Sequence, residues 1–353
     1  MSSCASRNGC RASSWSASDS RRWKTSSARR RSATTTFFGY GTKLSFQAEI
    51  SRIKKNFTLT VREPYLVDTR WIGTMNYVNS EVDYFQFDLF DNAITAGIGR
   101  PLYWDIEAHV AYRYKYREVK NVENQATTFL TLQEGRTTTT STRYTLLRNT
   151  VNSPFDPTDG SNVSFSVEWA SEYFGGDLEF LKYTGQARRY FPLWWDLTLM
   201  VNGEAGYGQS LNGERLHITE RYFLGGLNSV RGFFSRSLGP TEESTIPTDP
   251  TDPATTLTDV VSVIGGNKFA QGNVELLIPI VKELNIKGLL FYDAGNALPE
   301  GEWFAIDDMR QGYGFGVRWI SPIGPLRFEW GYPLHRQPGE RKQNFEFGIG
   351  TFF

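Results

Sequence analysis

The 353 residues carry 38 basic and 38 acidic side chains, so the net charge is zero and nothing global argues for nucleic acid as a partner. Aromatics reach 15%, with 25 Phe, 17 Tyr and 10 Trp, yet no uninterrupted apolar run approaches the length of a membrane helix. A helical membrane protein is thereby excluded, leaving a water-soluble fold or a transmembrane barrel whose strands are apolar on one face only.

Residues 1–36 do not resemble the rest. They hold 11 Ser, 7 Arg and a single acid, Asp19, with no apolar periodicity and no apolar core of the kind a secretory signal needs. Three readings fit: a mitochondrial or plastid transit peptide, a disordered basic tail, or an out-of-frame stretch that joins the true frame near Phe37. The tail or artefact readings are preferred, which sets a domain boundary between 36 and 37. Both cysteines, Cys4 and Cys10, fall here, too far from any His to read as a zinc site. The lack of cysteine beyond them suits an oxidising compartment or an envelope protein.

From Phe38 onward the chain alternates. Lys43-Leu44-Ser45-Phe46-Gln47-Ala48-Glu49-Ile50 and Ser164-Phe165-Ser166-Val167-Glu168-Trp169 are examples, each a strand with one apolar and one polar face. Candidate strands lie near 40–51, 54–65, 70–79, 81–99, 102–118, 140–152, 160–172, 177–190, 195–208, 216–224, 266–279, 284–296, 311–321, 324–333 and 343–353, the fourth open to a break by a turn. Short turns such as Pro154–Gly160 and Ser321–Pro325 alternate with long polar connections at 120–138 and 227–265. Short turns at one end and long loops at the other mark an outer-membrane barrel, and the length after the leader suits about 16 strands. A soluble β-sandwich would seldom need so many.

Two stretches stand out. Gly225-Gly226-Leu227-Asn228-Ser229-Val230-Arg231-Gly232-Phe233 sets one Arg among apolar residues and glycines. Glycines let a backbone approach another wall closely, and the planar guanidinium suits carboxylates. An exposed loop Arg is the plain alternative. The second stretch is the C-terminus, where Phe345, Phe347, Ile349, Thr351 and Phe353 share one face of the last strand. An apolar face ending on an aromatic suits a lipid-facing strand.

No catalytic constellation or metal site is apparent. His109, His217 and His335 lie far apart, without ligand spacing, and read as surface or loop residues. Gly312, Gly314 and Gly316 alternate within a strand, which eases curvature rather than cradling a phosphate. Asp249, Asp252 and Asp259 sit in the Pro- and Thr-rich segment 240–260 and read as a solvated loop tip. The expectation is therefore a protein without cofactor, metal or enzyme activity.

Gly225–Phe233, Tyr292-Asp293-Ala294-Gly295-Asn296, Ser321-Pro322-Ile323-Gly324-Pro325-Leu326 and the terminal Phe353 occur in this order, joined by Pro64-Tyr65 and Phe155–Gly160. Together they resemble the barrel half of the outer-membrane protein assembly factor family, also called the bacterial surface antigen family, over about residues 37–353. The resemblance implies a 16-stranded barrel that folds and inserts other barrels into the bacterial outer membrane. Its partners would be outer-membrane lipid, unfolded barrel clients and accessory assembly subunits. It also implies that the Val230–Phe233 loop tucks into the lumen, where Arg231 meets Asp293 and Glu275. A strand carboxylate belongs in the lumen, since charge on the lipid face is costly. Two features depart from the family. No soluble transport-associated domain is readable, and no first strand is recognised before Phe38, so an unpaired edge is expected near 40–51. A polypeptide-secreting pore of the two-partner type is the rival function, an outer-membrane enzyme a weaker one. An organellar outer membrane is the alternative location.

Overall fold

A computed structural model describes residues 29–37, 41–50, 54–83, 87–122, 133–154, 156–247, 257–321, 324–337 and 340–349. Ten strands come first: β1 (Arg29–Phe37), β2 (Thr42–Ile50), β3 (Lys54–Glu63), β4 (Ile72–Asp83), β5 (Asp88–Pro101), β6 (Ile106–Lys120), β7 (Gly135–Asn149), β8 (Gly160–Ala170), β9 (Phe180–Pro192) and β10 (Thr198–Ser210). A long connection holds three short ones, β11 (Gly232–Phe233), β12 (Thr241–Pro247) and β13 (Leu257–Val263). Then follow β14 (Lys268–Val281), β15 (Ile286–Leu298), β16 (Arg310–Ser321), β17 (Gly324–Leu334), β18 (Lys342–Gln343) and β19 (Phe345–Ile349).

Fifteen of these form one sheet in the order β1 to β10, β14 to β17, β19. Each neighbour pair is antiparallel. With an odd number of strands so arranged, the edge strands β1 and β19 run in the same direction. Any direct pairing between them would be parallel.

The alternation expected from the sequence is present in the burial of the side chains. Ile94 and Ile98 on β5, Val110 and Tyr112 on β6, and Leu290 and Tyr292 on β15 are exposed, while Lys115, Arg117, Glu275, Asp293 and Arg318 are buried. Apolar groups outside and charges inside reverse the pattern of a water-soluble fold. They fit a wall with lipid on its outer face. Among the described residues no helix is long and apolar enough to cross a membrane.

Two expectations are corrected. Residues 29–36 were assigned to the leader, yet Arg29–Phe37 pairs with β2 from Arg29 opposite Ile50 to Phe37 opposite Thr42. Its Ser/Ala/Thr run lacks apolar alternation, which is why it escaped a periodicity search, but Thr is at home in a strand. The expected unpaired edge at 40–51 therefore has a neighbour. The rest of the leader, with Cys4 and Cys10, lies outside the described residues. The second correction concerns 216–224, expected as a strand. It holds a 3-10 turn at Ile218–Glu220 and two isolated bridges, Tyr222 to Gly266 and Leu224 to Leu238. Its apolar residues alternate because the segment lies inside the wall. Leu216 packs with Ala170 and Phe180, and Ile218 with Phe87 and Val119. Every other candidate strand has its counterpart, and 81–99 is divided between β4 and β5. Residues 350–353, including Phe353, lie outside the described set.

Candidate functional site

The connection from β10 to β14 runs along the inner face of the sheet. Leu224, Val230, Phe233 and Leu238 bury together against Phe269 of β14 and Ala297 of β15. β11 adds two residue pairs with β18, Gly232 to Gln343 and Phe233 to Lys342. This apolar seat holds the Gly225–Phe233 stretch and presents Arg231 to the wall. Gly225, Gly226 and Gly232 have φ of +100°, +92° and +93°. At Gly232 a β-carbon would also lie 2.9 Å from the Pro333 nitrogen of β17. Glycine alone meets both demands.

Arg231 is 3% exposed and Asp293 not exposed at all. The Arg231 Nε donates to Asp293 Oδ2 at 2.7 Å, Nη2 to Asp293 Oδ1 at 2.7 Å, and the Arg231 backbone N–H to Oδ2 at 3.1 Å. Nη1 reaches Glu275 Oε1 at 2.7 Å and Glu329 Oε2 at 2.8 Å. The guanidinium carbon lies 3.6 Å from the centre of the Phe291 ring, a cation–π contact in a buried site. Asn273 holds the arrangement in place, donating to Asp293 Oδ1 and to the Ser229 carbonyl, each at 2.8 Å. One loop residue is thus tied to β14, β15 and β17 at once. Asp293 and Glu275 both contact Arg231.

Sequence reasoning missed three members. Glu329 is one. Arg318 is another: it donates to Glu275 through Nη1 and Nη2, each at 2.8 Å, and to Glu329 through Nε at 3.1 Å. Two arginines thus share three carboxylates, each buried charge with an opposite neighbour. Both residues lie in strands between apolar neighbours, Arg318 between Val317 and Trp319 and Glu329 between Phe328 and Trp330. That is the same pattern that supports the placing of Asp293 in the lumen. The third is Gly312, where an added β-carbon would stand 2.1 Å from the Arg231 carbonyl oxygen. Its place in the alternating glycines therefore serves close approach as well as curvature.

A second cluster, of opposite polarity, holds the start of the same connection. Glu220 accepts from Lys115 Nζ at 2.9 Å, Arg117 Nη1 at 3.0 Å and Lys182 Nζ at 3.1 Å, bridging β6 and β9. Arg117 also donates to Asp91 of β5 at 3.1 Å and to the Thr219 carbonyl at 3.1 Å. Burial alone would raise the Glu220 pKa, but Lys115, then Lys182 and Arg117, hold it well below the ordinary carboxylate value. Beside it, His217 caps the 3-10 turn by accepting from the Thr219 N–H. Burial, reinforced by Arg117, pushes its imidazole down to about 4. His109 is half-buried on β6 with Nε2 3.0 Å from Glu107 Oε2, and His335 is exposed. Among the described residues no group of His, Cys, Asp or Glu has metal-binding geometry.

On β19, Phe345 and Phe347 face outward while Glu346 is buried. They extend an outward aromatic row, Phe347 lying 4.9 Å from Phe328 and Phe345 5.2 Å from Trp330 between ring centres.

A sheet with apolar residues outside, charges inside, and a glycine-hinged loop bound to the inner wall through a buried Arg defines a protein of the outer-membrane barrel class. Residues 36–353 match the family model described as the Omp85 superfamily domain, and the chain belongs to that superfamily. It is 27% identical over 327 residues to "Outer membrane protein assembly factor BamA" of Nitratidesulfovibrio vulgaris, covering 90% of this chain and 38% of that protein. It is 24% identical to "Sorting and assembly machinery component 50 homolog B" of Xenopus laevis, covering 90% of this chain and 68% of that one. Among solved structures, that of BamA from Haemophilus ducreyi lacking POTRA domains 1–3 superposes with a TM-score of 0.72 at 20% identity, over 92% of this chain and 68% of the other. The chain thus spans well under half the length of the first of these relatives.

Proposed function

We propose that this chain is the membrane-embedded part of an outer-membrane assembly factor, which folds and inserts other barrel proteins into the outer membrane. The observation that carries this reading is the family match across residues 36–353, with one relative named an outer membrane protein assembly factor and another named a sorting and assembly machinery component. A bacterial outer membrane is the proposed location, an organellar one the alternative. Unfolded barrel proteins are the proposed clients, accessory assembly subunits the proposed partners, and the wall itself works against lipid. The reading needs no cofactor and no bond-making step.

Within it, Arg231, Asp293 and Glu275, with Glu329 and Arg318, act as the lock that keeps the connection seated inside the wall. A seated loop braces β14 to β17, next to the edge strand β19. The outward row of Phe345, Phe347 and Ile349, with Phe353 beyond, acts as the signal of the last strand.

The test uses the full chain in lipid vesicles and a urea-unfolded barrel as client. Client folding, followed as the heat-modifiable band on a gel, is expected to run faster than in empty vesicles or in vesicles holding an unrelated barrel. No acceleration would reject the reading. Transfer of a secreted polypeptide into the vesicle lumen, without client folding, would favour the two-partner pore.

A further inference from the structure

Three hairpin turns at one end of the sheet share a pattern. Pro64-Tyr65-Leu66-Val67-Asp68 joins β3 to β4, Pro101-Leu102-Tyr103-Trp104-Asp105 joins β5 to β6, and Pro192-Leu193-Trp194-Trp195-Asp196 joins β9 to β10. Each has Pro first, a large apolar residue fourth and Asp fifth. The fourth and fifth residues are left-handed in all three, with φ of 52° and 55°, 61° and 59°, and 58° and 60°. The hydrogen bonds repeat too. Leu102 N–H donates to Ile106 O at 2.6 Å and Leu193 N–H to Leu197 O at 2.8 Å; Ile106 N–H returns to Tyr103 O at 3.3 Å and Leu197 N–H to Trp194 O at 3.2 Å. In the first turn, Thr69 N–H makes the return bond to Leu66 O at 3.1 Å.

A left-handed pair of this kind favours Gly, Asn or Asp, and a β-branched or bulky residue there is an outlier. The turn geometry therefore does not explain Val67, Trp104 or Trp195. Their side chains gain nothing from packing within the chain, since these residues are 85%, 83% and 88% exposed. A strained position filled by a large, exposed apolar group points to a use for the side chain outside the chain.

The surroundings say what that use is. The turns continue the outward apolar lines of their strands. Ile98 leads to Leu102 before Trp104, and Phe191 is the outward residue next to Pro192. The three tips are spread along the wall from the β3–β4 turn to the β9–β10 turn, six strand spacings of about 4.8 Å each, rather than gathered into one patch. A lipid surface follows such a rim all the way round, whereas one protein partner would cover one section of it. Trp and Tyr are the residues that settle at the headgroup level, and the Asp after each tip resists deeper immersion. At the third turn Asp196 is also ion-paired with Lys282, which follows β14 at the same end.

We propose that the Val67, Trp104 and Trp195 turns are a membrane-interface anchor, set among the lipid headgroups at the short-turn rim, that fixes the depth of the β3–β10 side of the wall. This rests on the membrane reading of the sheet given above. The experiment separates the two. Starting from a Cys4→Ser, Cys10→Ser chain, single variants Trp104→Cys, Trp195→Cys, Val110→Cys and Glu214→Cys are labelled with an environment-sensitive fluorophore. The full chain is then reconstituted in phospholipid vesicles with bromine placed high or low on the acyl chain. Val110 faces outward in mid-strand and reports on spanning; Glu214 is exposed at the opposite rim and reports on water. The expected result is blue-shifted emission at 104 and 195, with greater loss of fluorescence from high bromines than from low ones. Emission at 104 and 195 that matches 214, with the 110 probe quenched by low bromines, would overturn the anchor and leave the membrane reading standing. A 110 probe that no bromine quenches would overturn both. A blue shift at 104 and 195 that appears only when a soluble protein is added would overturn the anchor in favour of protein docking.

Discussion

The carbonyl oxygen of Arg231 stands 2.1 Å from the point that a β-carbon on Gly312 would occupy. The neighbour is backbone, pinned by the buried ion cluster, so it cannot swing aside as the end of a side chain would. Gly312→Ala should therefore unseat the loop locally, at a cost typical of overpacking, about 1–3 kcal/mol. Gly203→Ala on β10 is the control, because nothing lies within 4 Å of its β-carbon position. The readout is the temperature at which the compact band disappears in a heat-modifiability gel. It should fall for Gly312→Ala and stay unchanged for Gly203→Ala. Equal behaviour of the two would show that the loop does not press on β16.

Removing the Arg231 side chain leaves Asp293 without its paired donors and Glu275 and Glu329 with Arg318 alone. Breaking a buried pair by removing one partner costs on the order of 3–5 kcal/mol. Arg231→Ala should lower barrel stability by that order and slow client folding. Arg231→Lys should restore only part of both, since an ammonium cannot bridge Asp293 with two parallel bonds. Asp293→Ala should resemble Arg231→Ala. Wild-type stability and client folding in all three variants would reject the lock.

Glu220 gives the connection a second point of attachment, on the same inner face but at β6 and β9. Glu220→Gln removes the carboxylate that Lys115 and Lys182 share. Arg117 keeps Asp91. Trypsin cleavage after Arg215, an exposed residue just before this anchor, should speed up in Glu220→Gln. Arg231→Ala, acting at the far anchor, should have a smaller effect at that bond. If the anchors act independently, the two changes should add in the Glu220→Gln, Arg231→Ala variant. Unchanged cleavage in Glu220→Gln would show that Arg231 holds the loop alone.

How much of this was legible depended on whether a residue's role is written in local period. Ser164–Trp169 and Asn344–Phe353 alternate cleanly, and their strands were placed from that alone. Asp293 and Glu275 follow from the family resemblance, supported by the rule that a carboxylate between apolar strand neighbours faces inward. The same rule covers Arg318 and Glu329, to which the resemblance did not point. Glu220 was hidden differently. Leu216, Ile218 and Glu220 alternate like a strand, and only three-dimensional packing shows them buried within the wall. Residues 29–37 offer Thr and Ser without an apolar face, so no pattern distinguished them from the Arg- and Ser-rich stretch before them. The repeat around Val67, Trp104 and Trp195 is written in the sequence as Pro, a large apolar residue three places on and then Asp, but that these positions are left-handed shows only in the backbone torsions.

His217 makes the first anchor sensitive to acid. In the folded chain its Nδ1 accepts from the Thr219 N–H, which only a neutral imidazole can do. Its pKa is held at about 4, against an ordinary 6.5. The unfolded chain therefore takes up a proton below 6.5 that the folded chain refuses until about 4. Stability is full above 6.5 and is lost as pH falls from 6.5 to 4. Glu220 acts lower. Its folded pKa lies well below the ordinary 4.5, so its contribution is present above 4.5 and is lost only as pH falls further, through the folded value. Trypsin is inactive in acid, so loop release is followed by pepsin cleavage at low pH and by thermal unfolding across the range. Wild type should lose stability steadily between pH 6.5 and 4. His217→Asn, which keeps a side-chain acceptor for the Thr219 N–H and cannot be protonated in this range, should be flat from pH 6.5 down to the ordinary carboxylate value of 4.5. It should still destabilise below pH 4.5 through Glu220 and the other carboxylates. An identical slope for wild type and His217→Asn between 6.5 and 4 would show that His217 is neutral for reasons unconnected with the loop's stability.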